Sequence, residues 1–543
     1  MDGPLRDQLR LHPRHSTHDM DCGISFALPS IGQPTDIRLL FRNRRGPVSC
    51  FPTVLVMSPL IALILVPVIT VFTIACGANA RRISLIGTCI NLGLCVFVLI
   101  NYHSDQAGYQ FVCSLPIIPS VGLNFTLGAD GLTLMLLFLS TLISFAAVLV
   151  SRKIEQHESW FYICLLLISA GAIGAFVSLN VLFFYSFHEL ALIPTFLLIG
   201  IWGHGDKQSV AWKTTLYLAI GSFILLLGII GLYFACPVDA RTFDMRELRH
   251  LGANGMIRQE SWIYLLLVIG FGALVSLFPL HSWAPAAYAC APTPVAMLHA
   301  GVLKKFGLYG FFRIVTPLFP LASQQWMTLL LILAAGNLLF IGMATLAQKR
   351  LDWMLGYSSV MHMGYIFLGL AAGNVLALTG AATLIFAHGL SIAALFALCG
   401  ELRERTGTVD FNSLGGLAGK MPHMGVLFGL AGFASIGVPG FANFAGELMV
   451  FFGAFQQEAT PFKLGRFQII DILIMWGVVL SAVYFLRAYR RIFFGAFPQR
   501  LGEISDLRPA VELAVIVLVI ALLAVGCYPQ PFLQMIIPSL TWH

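Results

Sequence analysis

The sequence predicts an all-α polytopic membrane protein with about fourteen transmembrane helices, and three observations lead there. The 543 residues are 58% hydrophobic and only 10% charged, where soluble chains carry about 25% charged residues. Mean hydropathy is +0.85. Fourteen apolar runs approach the roughly 20 residues needed to cross a hydrocarbon core, and two of them are interrupted by proline and glycine in similar ways.

In chain order the runs lie near 54–76, 83–101, 132–151, 160–179, 181–202, 214–235, 261–283, 285–316, 325–347, 353–371, 375–400, 422–456, 467–492 and 510–528. Alternating sides along this order places 16 loop Lys and Arg residues on one face, among them Arg81, Arg152, Lys207, Arg350, Arg403 and Arg490. Six fall opposite: Arg241, Arg246, Arg249, Arg258, Lys463 and Arg466. The positive-inside rule makes the richer face cytoplasmic and puts both termini outside. The net charge of +7 is thereby explained by topology, with no nucleic-acid partner; membrane lipid is the surrounding partner. Eleven scattered cysteines without a CxxC pair define neither a metal site nor a disulfide framework.

Residues 1–52 form an N-terminal tail, read as disordered or as a start set too far upstream, since it holds seven arginines and no apolar core of signal-peptide length. The mature chain is expected to begin well after Met1. Five aspartates in the tail argue against a mitochondrial presequence, which points to the inner (plasma) membrane of a bacterium. The remaining boundaries are 53–151 for three helices, 152–316 and 317–492 for two repeated units, and 493–543 for the last helix and tail.

The repeat reading comes from the interruptions. PLHSWAPAAYACAPTP (Pro279 to Pro294) and GVPGFANFAGE (Gly437 to Glu447) begin 437 − 279 = 158 residues apart. Proline inside a helix removes a hydrogen bond, and in lipid the freed carbonyls must find protein or water. Paired interruptions at matching places of two halves point to a transporter with its pathway near the midplane.

Few ionisable residues lie deep in the spans. They are Glu189, Lys304, Lys305, Glu447 and the histidines His188, His281, His299, His362 and His388. A charge at the bilayer centre costs roughly 2.5–3.5 kcal/mol, so these groups are paired or hydrated. Arg313 reads as the end of the lysine-bearing helix, and it stands eight residues beyond Lys305, roughly 12 Å. Snorkelling does not span that distance. Adjacent helical residues point about 100° apart, so Lys304 and Lys305 face different neighbours. Glu and Lys in a wet interior make a proton relay, since each shifts its proton affinity as its partner's charge changes. His388, flanked by small residues in AHGLS, and His362 join the candidates; His188 and His281 read as packing residues. No phosphate loop, dinucleotide fingerprint, nucleophile elbow or metal-ligand spacing is present in the sequence.

Several stretches together resemble the antiporter-like membrane subunits of respiratory complex I (NADH:quinone oxidoreductase), on the chain M or chain 4 branch. They include ADGLTL (129–134), FHELALIPTFLLIGIWG (187–203), PLHSWAP with APTP (279–294), AGVLKKFGLYGFFRI (300–314), YSSVMHMGY (357–365), AHGLSIAALFALCGEL (387–402) and GEL (446–448). The resemblance spans roughly residues 55–535. It implies two inverted five-helix repeats with broken helices 7 and 12, and proton-pathway roles for Glu189, Lys305 and Glu447. Lys304, His388 and His362 complete the expected path. It further implies a proton-translocating subunit of an NADH:quinone oxidoreductase, with no cofactor on this chain. NADH, FMN, iron–sulfur clusters and quinone are expected on partner subunits, and neighbouring membrane-arm chains as partners. The rival readings are a subunit of a multisubunit cation/proton antiporter and a non-pumping scaffold.

The chain departs from the family pattern in three places. Leu274 stands where the family carries the seventh-helix lysine expected to pair with Glu189. Ala286 and Tyr288 replace an acid and a histidine, and Asp352 with Trp353 replaces a Lys-Arg pair. The missing cation and the extra one suggest that Lys304 serves Glu189 in place of the lost lysine.

Overall fold

The computed structural model describes residues 58–541 apart from 107, 153 and 458–463, so the tail at 1–52 lies outside the described residues. Helices α1 (Pro59–Ala75) and α2 (Ala80–Ile100) precede an antiparallel hairpin of β1 (Gln110–Ile118) and β2 (Leu123–Ala129). Then come α3 (Gly131–Val150), α4 (Glu158–Val177), α5 (Val181–Trp202), α6 (Lys207–Ala235) and the short α7 (Met245–Ala253). The first interrupted span consists of α8 (Glu260–Val275) and α9 (Ala284–Cys290), followed by α10 over 293–318. Next come α11 (Pro320–Leu346), α12 (Leu351–Ala372), α13 (Val375–Thr406), the interrupted pair α14 (Pro422–Ile436) and α15 (Ala442–Gln456), and α16 (Arg466–Phe493). Helices α17 (Pro509–Cys527) and α18 (Gln530–Leu540) end the described chain.

Among the described residues ten helices are long and apolar enough to cross a membrane alone. The two interrupted pairs, α1 and α10 supply four more. The fold is the fourteen-span architecture with two inverted five-helix repeats broken at helices 7 and 12. Helix α13 is its central column: the whole of its apolar window is buried, against 33% for α16. Small residues let it serve as one. At Gly380 an added Cβ would lie 2.7 Å from the Gly446 carbonyl oxygen of α15, and at Gly389 it would lie 2.8 Å from the Gly301 oxygen of α10. Both crossings place backbones in contact beside an ionisable residue, Glu447 in the first case and His388 in the second.

The two breaks are built alike. At the first, Ser276 N–H bonds Ala273 O and Leu277 N–H bonds Gly272 O, with Ser276 at φ 66°; at the second, Gly437 N–H bonds Ala434 O and Val438 N–H bonds Phe433 O, with Gly437 at φ 83°. Both are left-handed helix ends that return orphan carbonyls to the chain. The groups still free at the first break are taken by Asn337 of α11, which accepts from Phe278 N–H at 2.7 Å and donates to Ser276 O at 3.4 Å and to Val360 O at 2.8 Å. The Trp283 indole adds a bond to Ala273 O at 3.0 Å. Asn337→Leu strands these buried groups at about 1–3 kcal/mol each. A lowered thermal midpoint of the detergent-solubilised protein is the expected result.

Two sequence expectations are corrected. Helix α10 does not end near Arg313 but runs to Leu318, and Arg313 turns inward to form a buried ion pair with Asp130. That partner removes the need for the guanidinium to reach solvent. The hairpin and α18 fall in stretches that the span count left as loops. Helix α18 packs on the start of α3, where Ser539 Oγ accepts from Leu132 N–H at 3.3 Å.

Candidate functional site

Lys304 and Lys305 follow a widened π turn at His299–Leu303. Such a turn leaves carbonyls without a regular helical donor and recurs at functional sites. Lys305 Nζ donates to Ala300 O, inside that turn, at 3.3 Å, and lies 2.7 Å from His388 Nδ1 on α13. The Gly301/Gly389 crossing one residue away makes this short approach possible. Both side chains are sealed, Lys305 at 0% and His388 at 2% exposure. With the ammonium donating to Nδ1, the imidazole carries its proton on Nε2, and that atom is buried without a partner. The His362 ring centre is 5.7 Å beyond. His362 Nδ1 faces Ser358 O at 2.7 Å and Nε2 faces Ser435 O, at the end of α14, at 2.9 Å. A neutral imidazole donates to one of the two carbonyls; only the imidazolium donates to both.

Glu447 sits one helix beyond. Its carboxyl group lies against Gly437 of the second break, at a spot a Cβ would occupy. Lys305, His388, His362 and the second break thus line one polar seam through the centre of the bundle, with no hydrogen bond joining the two rings among the described residues.

The other end is arranged differently from expectation. Glu189 and Lys304 do not pair. Glu189 accepts a hydrogen bond from Ser222 Oγ of α6 and lies 3.3 Å from His188 Nδ1. Lys304 points away, towards α12, where Nζ donates to Ser359 Oγ at 3.2 Å and Ser359 O at 3.3 Å and lies 5.1 Å above the Tyr288 ring. The 100° turn between adjacent residues sends the two ammonium groups to different helices, and Tyr288 offers Lys304 a cation–π face. Two of the chain's departures, Lys304 and Tyr288, therefore meet each other.

A narrow cavity lies between Glu189's neighbour and Lys304, walled by His188, Leu274, His299, Leu303 and Lys304. The position of the missing lysine faces this cavity. His299 Nδ1 is buried without a partner among the described residues, and His188 and His299 both line this cavity. Beside the packing role read from the sequence, His188 approaches Glu189 at 3.3 Å. Its stacking on Phe306, with ring centres 4.1 Å apart, explains why it reads as packing.

On the basic face, Glu401 closes the lower end of α13. Its buried carboxylate takes Arg405 Nε at 2.9 Å and Arg508 Nη2 at 2.7 Å. A cleft of about 450 Å³ opens there, with Pro292 and Thr293 of the α10 start in its wall. Asp352, one of the departures, binds Arg350 and Arg403, each at 2.7 Å.

The family described as "NADH:quinone oxidoreductase/Mrp antiporter, TM" matches residues 178–465. The chain belongs to this family. F(420)H(2) dehydrogenase subunit M of Methanosarcina mazei is 34% identical over 487 residues, covering 88% of this chain and 96% of that one. NAD(P)H-quinone oxidoreductase chain 4 1 of Synechococcus elongatus is 35% identical over 489 residues, with 88% of each chain covered. Among solved structures, a chain of respiratory complex I from Thermus thermophilus with bound NADH superposes with TM-score 0.80 at 27% identity, covering 90% of this chain and all of that one. A chain of the Mrp complex from Dietzia shares the fold, with TM-score 0.77 at 18% identity. The match region contains Glu189, both lysines, both histidines of the seam and Glu447, so the polar seam belongs to the part that defines the family.

Proposed function

We propose that this chain conducts protons in the membrane arm of a complex-I-type quinone oxidoreductase. The observation that carries this reading is the Lys305–His388 contact of 2.7 Å, sealed from solvent at the crossing of α10 and α13. A buried ammonium beside an imidazole exchanges a proton when the charge of either neighbour changes. The path runs from Glu189 through His188 and His299 to Lys304, then by Lys305, His388 and His362 to Glu447. The energy comes from partner subunits, which bind NADH or a related donor, FMN, iron–sulfur clusters and quinone; it acts by favouring one protonation state of this module over another. The setting is the plasma membrane of a prokaryote, with other antiporter-like chains as neighbours.

Glu189→Gln in the assembled complex tests the reading. Inverted membrane vesicles should keep quinone reduction and lose proton uptake. Unchanged uptake would favour the scaffold reading, and isolation without flavin and iron–sulfur subunits, with sodium-dependent proton flux, would favour the antiporter.

A further inference from the structure

Asp471 of α16 is a deep acid that the path above does not use. It is fully buried, and neither carboxyl oxygen has a partner among the described residues. It occupies the buried seam of α16 together with Phe467, Gln468, Ile474, Gly477, Ser481 and Tyr484. A carboxylate without hydrogen bonds in such a place is costly to bury, so the structure accommodates the neutral acid and makes the anion a short-lived state.

Its depth can be compared with that of Glu447. Gln468 Nε2 donates to Phe455 O at 2.7 Å and to Gln457 O at 2.8 Å, which sets the start of α16 level with the end of α15. At 1.5 Å per residue, Asp471 lies about 4.5 Å inward of that tie and Glu447 about 13.5 Å. Both helices end there on the face away from the basic loops. The Tyr365 hydroxyl, also buried without a partner, reaches α16 beside Gly477, about level with Glu447. Its ring packs on Phe451 of α15 with centres 5.6 Å apart. One unpartnered oxygen group among the described residues, the Tyr365 hydroxyl, thus lies at the depth of Glu447, and the Asp471 carboxyl lies about 9 Å nearer the outer face.

We propose that Asp471 is the release group of the proton path. Its carboxylate takes the proton that Glu447 gives up, across transient water, and passes it to the outer aqueous phase, returning to the anion that the next proton neutralises. The assignment rests on the reading in the preceding section. It makes Asp471 a proton carrier and not a fixed structural charge.

The experiment uses inverted vesicles containing the whole complex with Asp471→Asn, Asp471→Leu or Asp471→Glu, with Glu189→Gln alongside. Loss of a positioned proton carrier slows transfer by on the order of a hundredfold. Asn and Leu variants are therefore expected to assemble on native gels and keep quinone reduction in uncoupled vesicles, but lose dye-reported proton uptake. The Glu variant is expected to restore uptake with a shifted dependence on the pH inside the vesicles, which a structural role would not produce. Full uptake in the Asn and Leu variants overturns the proposal, and so does failure of both to assemble, since the acid would then be needed for folding. If Glu189→Gln abolishes uptake while Asp471→Asn leaves it intact, only this inference fails. If Glu189→Gln is silent, the underlying reading fails first.

Discussion

Lys305→Met is expected to abolish proton translocation while leaving the complex assembled. The ammonium makes two contacts, His388 Nδ1 at 2.7 Å and Ala300 O at 3.3 Å, and no carboxylate depends on it for charge balance, since no ion pair of Lys305 occurs among the described residues. Methionine keeps the length and helix preference of the side chain, and replacing a buried charge by an apolar group of similar volume tends to leave folding unharmed. On the proposed path, what disappears is the group that exchanges a proton with His388. Removing a positioned proton donor lowers rates by about 10²–10⁴, which in vesicles reads as absence of dye quenching at normal uncoupled quinone reduction. Normal quenching in a fully assembled Lys305→Met complex would end the relay assignment.

The second large effect is on stability. Asp130→Ala is expected to cost about 3–5 kcal/mol, because it leaves the Arg313 guanidinium buried and unpaired. Arg313 is only 6% exposed and Asp130 fully buried. Asp130 also caps α3 through the Thr133 N–H at 3.0 Å, and loss of a cap adds about 1 kcal/mol. Chemical denaturation of the solubilised chain gives the first measurement. The double variant Asp130→Ala with Arg313→Leu should recover most of the loss, since no charge is then stranded. If it is as unstable as the single variant, the penalty comes from the cap and not from the buried cation.

Hydropathy made the spans legible, because crossing a bilayer imposes a length and a composition on each helix. The breaks were legible for the same reason, as proline and glycine inside an apolar run have few other uses. Partner identity was not. Lys304 is held by a serine and the face of Tyr288, groups that carry no charge signal in a sequence. Sequence reasoning placed Lys304 beside Glu189 by matching a missing cation to a surplus one, yet the direction of a side chain on a helix decides its partner. Asp471 escaped because a single acid five residues into an apolar helix resembles an interfacial charge; only its full burial sets it apart. His188 was hidden by stacking. A signal was nevertheless available, since it precedes Glu189 directly and its ring nitrogen can reach back to the carboxylate. The hairpin at 110–129 contains Pro116 and Pro119, which weaken a strand pattern.

The two breaks share one backbone design, yet their free carbonyls are closed by different chemistry. The first is fastened by the Asn337 amide and the Trp283 indole, neither of which titrates. The second is fastened through His362 to Ser435 O, by a ring that cannot hold both of its carbonyls once it becomes neutral. A protonation change at His362 thus acts directly on a carbonyl of the second break. The likeness of the two breaks ends at that ring, where a titratable group takes the place of an amide and an indole.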